Sequence, residues 1–332
     1  FFPASTTPQL VVDFWLPQGT DISKTKESML ELEKIVAEME GVDAVQTLIG
    51  GGAPIRYMLV YGPEARNTSY GQLLIKTKDY EAIAPLLPKI QKVVDDGYPN
   101  AQGKVWQFAL GPGGGSKIEA EFTGPDPATL RRLVREAKAV LAADPKSMPI
   151  KDTWRQPVSV IQPQYSESRA RRLGISREDL AAAIKTNFSG SNIGIYREGD
   201  TLIPIIARAP ASERVSPENL AGIQITSKVT GKTVPLTETI DGFKTVWRDG
   251  RLIREDRLWQ IKAQAEPVPG ELQSDLLKQV RPGIEAIELP SGYFLKWGGE
   301  YGDSAEANED LASTIPLGFL AMVLVVVVLF NA

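Results

Sequence analysis

The chain has 332 residues, of which 42% are hydrophobic and 23% charged, with a formal net charge of −4. This is the balance of a globular protein long enough for two or three domains, and without a basic run or an aromatic-plus-basic stripe it excludes a nucleic-acid groove. Cysteine and histidine are both absent, which excludes thiol chemistry, disulfides, histidine-based triads and the usual zinc or copper sites.

A first lobe opens with Leu10 to Leu16, a strand rich in β-formers. Asp21 or Ser23 caps a helix whose Met29, Leu32, Ile35 or Val36, and Met39 recur at helical spacing, with Gly41 to end it. Val42 to Ile49 is a second strand. Gly50 to Ser69 is a long segment that mixes glycines with an apolar patch, and it suits either a functional loop or an exposed hairpin. Tyr70 to Lys78 is a third strand. Tyr80 to Asp96 is a helix kinked or delayed by Pro85 and Pro88. Lys104 to Leu110 closes the lobe, with Trp106, Phe108 and Leu110 on one face.

Gly111-Pro112-Gly113-Gly114-Gly115 then joins two similar patterns. It is not a phosphate loop, because Gly115-Ser116-Lys117 has the wrong order and leads into a strand. The second lobe has a strand at Lys117 to Thr123, a helix opened by Pro125-Asp126-Pro127 and running through about Ala143, and an extended stretch from Ile150 to Gln162. Its remaining strand, helix and strand resume at Leu258 to Gln264, Glu271 to Gln279 and Tyr293 to Trp297. The insert between reads as a small α+β subdomain. Its helices are Ser166 to Leu173 and Ser176 to Asn187, the second with a capping box from Ser176 to Asp179. Its strands are Asn192 to Tyr196, Thr201 to Ala207 and Ile223 to Ile225, and Thr230-Gly231-Lys232 forms a hairpin tip.

The apolar run from Ile315 to Phe330 has no polar face and suits the start of a membrane helix. The chain starts at Phe1-Phe2-Pro3 and stops inside that run, as a piece of a longer membrane protein would. The expected fold class is therefore α+β. Porter-like lobe one spans 1–111, lobe two spans 116–165 and 251–300, the insert spans 166–250, and a transmembrane helix starts at 313–332. Each lobe is a βαββαβ unit of ferredoxin-like type, and a groove between two such lobes is a usual place for a ligand.

Tandem βαββαβ lobes, an insert in the second, and a return into a membrane helix resemble the large periplasmic loop of resistance-nodulation-division (RND) efflux pumps. The segment Tyr165 to Leu180, Val234-Pro235-Leu236, Gly292 to Glu300 and the run from Ile315 carry the likeness. Leu16-Pro17-Gln18-Gly19-Thr20 after the Phe-Phe-Pro start is similar to the second of the two loops. The resemblance implies the hydrophobe and amphiphile branch. It implies a proton-driven antiporter rather than an enzyme, a homotrimer in the Gram-negative inner membrane, and no cofactor. Its partners would be a periplasmic membrane-fusion adaptor, an outer-membrane channel and small hydrophobic or amphiphilic substrates.

By the same resemblance the switch loop runs over Leu48, Ile49, Gly50, Gly51, Gly52, Ala53, Pro54 and Ile55. Substrate-binding positions fall on Gln46, Leu48, Gly51, Ala53 and Leu74, with walls at Trp106, Phe108, Leu110, Arg155 and Lys262. The hairpin at Thr230, Gly231 and Lys232 would dock on the channel or adaptor. Drug pumps of the family place several Phe in the switch loop and pocket, whereas this chain has none between Phe14 and Phe108; Ile55, Tyr57 and Met58 are the candidates to supply that surface. Scattered Met residues disfavour copper or silver export. A membrane-anchored adaptor without transport is the alternative reading; a tethered hydrolase lacks a nucleophile elbow.

Overall fold

Phe14 shows how the first lobe is built. In the computed structural model, which describes residues 5–52, 64–108, 115–214, 217–268 and 271–330, Phe14 pairs across one strand with Gly71 and across the other with Gly103. Neither glycine has room for a side chain. A Cβ on Gly71 would lie 2.5 Å from Met29 Cγ, and one on Gly103 would lie 2.2 Å from Val94 Cγ1. The two helices therefore press directly on the sheet beside Phe14, and Tyr98 meets its ring edge-on at 5.2 Å.

The elements of this lobe are β1 (Gln9–Trp15), α1 (Ile22–Ala37), β2 (Val42–Ile49), β3 (Tyr70–Thr77), α2 (Ile83–Gly97) and β4 (Gln102–Gln107). The antiparallel sheet has the order β2-β3-β1-β4. Asp21 caps α1 by accepting from Ser23 N at 2.8 Å. Asp79 accepts from Ala82 N at 2.8 Å, so α2 begins late, Pro85 lies in its first turn and Pro88 is the interior proline. Strand β4 starts and ends earlier than alternation suggested, because its register on β1 runs from Gln102 opposite Trp15 to Gln107 opposite Leu10.

The second lobe repeats the plan. Its first half is β5 (Ile118–Gly124), α3 (Pro127–Ala143) and the two-residue β6 (Lys151–Asp152), after which β7 (Pro157–Tyr165) leads into the insert. The insert contains α4 (Glu167–Leu173), α5 (Arg177–Phe188), β8 (Ser191–Glu198), β9 (Thr201–Ala207), β10 (Gln224–Thr226), β11 (Thr233–Pro235) and β12 (Ile240–Asp249). The lobe resumes with β13 (Ile253–Glu255), β14 (Leu258–Ala265), α6 (Gln273–Glu285) and β15 (Phe294–Gly298). Its sheet runs β13-β14-β5-β15, with β6 also on β14. Second strand beside third, then first, then fourth is the order of lobe one. Its core packs Phe122, Leu133, Leu141, Trp154, Ile261 and Leu276.

The chain divides into two compact units. One is Phe1–Val158 with Asp249–Ala332, and the other is the insert, Ser159–Arg248. The insert takes in most of β7 because that strand pairs with β12. Its own core gathers Ala170, Ile175, Leu180, Ile223, Ile225, Leu236 and Ile240. The capping box of α5 forms as its sequence indicates, Ser176 and Asp179 each satisfying the other's backbone N–H.

The last helix, α7, spans Gly299–Phe330. It begins well before the apolar run, so the polar residues ahead of Ile315 belong to the same helix. At about 1.5 Å per residue it is roughly 48 Å long. Ile315, Phe319, Leu324 and Val328 stand exposed along it. Among the described residues it is the one helix long and apolar enough to cross a bilayer.

Candidate functional site

In lobe one the helices cover a single face of the sheet. Strand alternation turns Leu10, Val12 and Phe14 to them and Val11, Asp13 and Trp15 to the opposite face. Register places Leu74, Gln72 and Tyr70 of β3 beside these, with Trp106, Lys104 and Gln102 of β4 on the other flank. Asp13 is 6% exposed in the middle of this face. It accepts from Tyr70 Oη, from Gln72 Nε2 at 2.9 Å and from Trp106 Nε1 at 2.7 Å. Its lone pairs are thus engaged by neutral donors of the same sheet.

Lobe two answers with one turn. Between β6 and β7 the chain carries Trp154 into the core, where it is fully buried and donates Nε1 to Gln260 O at 2.7 Å. Arg155 follows with φ +58°, a left-handed conformation uncommon for a residue with a Cβ. The turn is clamped from α3. Arg131 Nη1 donates to Arg155 O at 2.8 Å and to Asp152 Oδ1 at 3.0 Å, and Arg131 also pairs with Asp249. Asp152 accepts as well from Lys138 Nζ at 2.9 Å and from Trp154 N at 3.1 Å.

Held in this way, Arg155 reaches lobe one. Its Nη2 lies 2.9 Å from Glu64 Oε2, and its guanidinium lies 4.7 Å from the centroid of the Trp15 ring. Glu64 also accepts from Trp15 Nε1 at 2.6 Å, Asn67 Nδ2 at 2.9 Å and Arg251 Nη1 at 3.2 Å. Burial alone would raise the Glu64 carboxyl. Arg155, the bonds from Trp15 and Asn67, and Arg251 outweigh it and hold the group below the usual carboxylate value. Burial in turn depresses the Arg155 guanidinium from its ordinary value, with Glu64 opposing.

Around this pair lies a cavity of about 670 Å³. Its wall includes the aromatics Trp15, Tyr70 and Trp106, the cations Arg66, Lys104, Lys151, Arg155 and Arg251, and the carboxylates of Asp13, Glu64 and Asp152. Cations outnumber carboxylates among the described lining residues, and each carboxylate already accepts at least three hydrogen bonds from protein donors. Lys104 is paired with Glu266 at 2.7 Å. Lys151 is different. Its Nζ stands 4.7 Å from the Trp15 ring centroid, and no carboxylate pairs with it among the described residues.

Of the residues suggested by resemblance, Trp106 and Arg155 line the cavity. Gln46, Leu48 and Leu74 share its sheet face further along β2 and β3. Gly51 forms a bridge with Ala65, just beyond Glu64. Phe108 is buried beyond the end of β4 and packs edge-on against Trp106 at 5.2 Å. Lys262 lies on the sheet of lobe two outside the cavity lining, bound to Glu119 at 3.2 Å and to Glu121. Burial would lower its ammonium, but the two carboxylates hold it above the ordinary value. Ala53, Pro54, Ile55, Tyr57, Met58 and Leu110 fall outside the described residues, as do Gly111 to Gly114. In the insert, Thr230, Gly231 and Lys232 form the tight connection between β10 and β11, with Gly231 at φ +69°.

Asp13, Trp15, Glu64, Tyr70, Lys104, Lys151 and Arg251 were not singled out from the sequence. Asp13 did carry a signal, as an acid set among Leu10, Val11, Val12 and Phe14 on one strand. A polar group in such a place must find partners.

The chain is similar to proteins of known name along its whole length. It is 22% identical over 347 aligned residues to the Cation efflux system protein CzcA of Alcaligenes sp. (strain CT14), covering 100% of this chain and 32% of that protein. It is 23% identical over 336 residues to the Cobalt-zinc-cadmium resistance protein CzcA of Cupriavidus metallidurans, covering 95% and 30%. The crystal structure of a heavy metal efflux pump superposes with a TM-score of 0.77 at 19% identity, over 97% of this chain and 34% of that one, which shows the shared fold. The chain spans about a third of the length of these relatives. They carry metal-efflux names, so they do not bear out the hydrophobe and amphiphile branch suggested by the sequence resemblance. Residues 1–332, the entire chain, match the AcrB/AcrD/AcrF family, and the protein belongs to it.

Proposed function

We propose that this chain is the periplasmic porter and docking portion of a proton-driven RND exporter of the Gram-negative inner membrane, and that its cargo is an organic amphiphile with a polar head. The cavity between the lobes carries this reading. Three aromatic side chains, Trp15, Tyr70 and Trp106, supply apolar surface beside fixed charges, and the volume suits a drug-sized molecule. Its walls come from two lobes joined by a glycine-rich strip, and the Glu64–Arg155 pair spans them. Separation of the lobes would break that pair and admit cargo, which is the requirement of alternating access.

The remaining parts fit the same assembly. Helix α7 anchors the chain. The β8–β9 hairpin exposes Ile193, Ile195, Tyr196, Leu202, Ile205 and Ile206, an apolar surface of the kind buried between subunits of a homotrimer. The Thr230-Gly231-Lys232 connection is the candidate contact with adaptor or outer-membrane channel.

A second reading has its own support. The relatives are named for cation, cobalt, zinc and cadmium efflux or resistance. Against it stands the donor set of the cavity, in which Asp13 and Glu64 are occupied by protein hydrogen bonds and cations are in excess. Expression of the full-length gene in a pump-deleted Gram-negative host separates the two. Reduced accumulation of amphiphilic dyes, lost in Arg155→Ala and Trp106→Ala, supports the organic cargo. Increased tolerance to zinc, cobalt or cadmium with unchanged dye accumulation supports the metal reading and overturns the first.

A further inference from the structure

Among the described residues that line the cavity, two cations have no paired carboxylate, and of these Arg66 is exposed whereas Lys151 is half-buried. Lys151 is the first residue of β6, and β6 is only two residues long, so its neighbours are set by the turn that holds Arg155. Four elements bring charged groups to it. They are Asp13 from β1, Lys104 from β4, Arg155 from the turn after β6, and Glu266 just past β14. Each of the two acids is committed elsewhere. Asp13 accepts from Trp106 and Gln72, and Glu266 is paired with Lys104. Among the described residues the ammonium keeps the face of Trp15, at 4.7 Å, and no paired carboxylate.

We propose that Lys151 is an anion-recognition residue, which binds the carboxylate or sulfonate head of an organic anion while the aromatic wall of the cavity takes its apolar body. This rests on the organic-cargo reading above and deepens it. A partly buried ammonium without a counter-ion is costly, and an oxyanion entering the cavity supplies the missing partner through a charge-assisted hydrogen bond. Arg155 and Arg251, both already on Glu64, add positive potential without being available as free donors in the same way. Burial, and then the neighbouring Lys104 charge, push the Lys151 ammonium down to about 8, so that the site is charged at neutral pH and discharged in mild alkali.

The test uses two dyes on the purified full-length pump. 1-Anilinonaphthalene-8-sulfonate carries a sulfonate, and N-phenyl-1-naphthylamine has a similar ring system without it. Saturable binding is followed by dye fluorescence. The proposal expects Lys151→Met to weaken the sulfonate dye about tenfold or more beyond any effect on the neutral dye. Wild-type affinity for the sulfonate should fall about tenfold between pH 7 and pH 9 as the ammonium deprotonates. Lys151→Arg should bind the sulfonate at both pH values, because its charge does not titrate there. Equal weakening of the two dyes by Lys151→Met overturns the anion site while leaving the organic-cargo reading standing, as does a pH dependence that persists in Lys151→Arg. Saturable binding of neither dye overturns both.

Discussion

Arg155 of the second lobe and Glu64 of the first stand 2.9 Å apart, Nη2 to Oε2, and both side chains are largely buried, at 11% and 17% exposure. The pair ties the lobes through a residue in left-handed backbone conformation whose carbonyl is itself clamped by Arg131. Removal of one partner leaves the other charge partly buried. Arg155→Ala and Glu64→Gln should each destabilise the protein by about 1–3 kcal/mol, and the double variant by less than the sum. Thermal unfolding of the full-length protein and its three variants, read as a cycle, measures the coupling; strict additivity would show the contact to be idle.

The same pair sets an acid limit. The Glu64 carboxyl is held below its usual value when folded, so its contribution to stability is present above the unfolded carboxyl pKa and is lost as pH falls through the lower folded value. The difference in melting temperature between wild type and Glu64→Gln should be constant from pH 7 to about 5, near and above the ordinary carboxyl range. It should shrink only in stronger acid. A difference that closes already between pH 7 and 6 would contradict this.

Lys151 works in the opposite sense. Its folded pKa is about 8 against an ordinary 10.5, so between these values the unfolded chain binds more protons and stability rises with pH. Lys151→Met should therefore melt above wild type at pH 7, and the gap should narrow as pH rises from 8 toward 10.5. A wild type that is the more stable at pH 7 would show the ammonium to be satisfied by contacts other than those described.

Trp154 is the pin of the site. It is fully buried and is one of the largest side chains in the core of lobe two. Trp154→Ala should cost about 3–5 kcal/mol and should also release the Arg155 turn. Loss of transport together with a lower melting temperature is the expected result. Trp154→Phe keeps most of the volume but leaves Gln260 O without its donor, and should fall between the two.

The helix-to-sheet contact in lobe one has a similar test. A Cβ at Gly103 collides with Val94, so Gly103→Ala should destabilise by about 1–3 kcal/mol. Val94→Ala in the same chain should recover part of that loss, where independent sites would add their costs.

The two lobes were legible because each declares itself through short apolar runs at strand and helix spacing, bounded by Asp21, Gly41 and Asp126. The capping box of Ser176 and Asp179 was legible for the same local reason. Most of the cavity wall was not, and Trp106 and Arg155 were reached through family resemblance rather than through any pattern in the residues. Glu64 comes from a long stretch whose sequence shows no strand or helix period, Lys151 from a two-residue strand, and Arg155 from a turn held by Trp154 and Arg131. No periodicity links such positions; they meet only after two sheets have formed. Resemblance placed Lys262 on the wall less securely than Arg155, and the structure pairs it with Glu119 and Glu121 of β5. The late start of α2 followed from the two prolines, whereas the early start of α7 had no apolar signal ahead of Ile315.

Trp15 belongs to lobe one, yet the two cations over its ring, Lys151 and Arg155, come from lobe two, and its indole N–H is spent on the carboxylate that Arg155 also holds. Indole emission responds to charge placed against the ring. The molecule thus has an optical gauge of lobe separation already installed, and the difference spectrum between wild type and Trp15→Phe isolates its signal during turnover without an attached label.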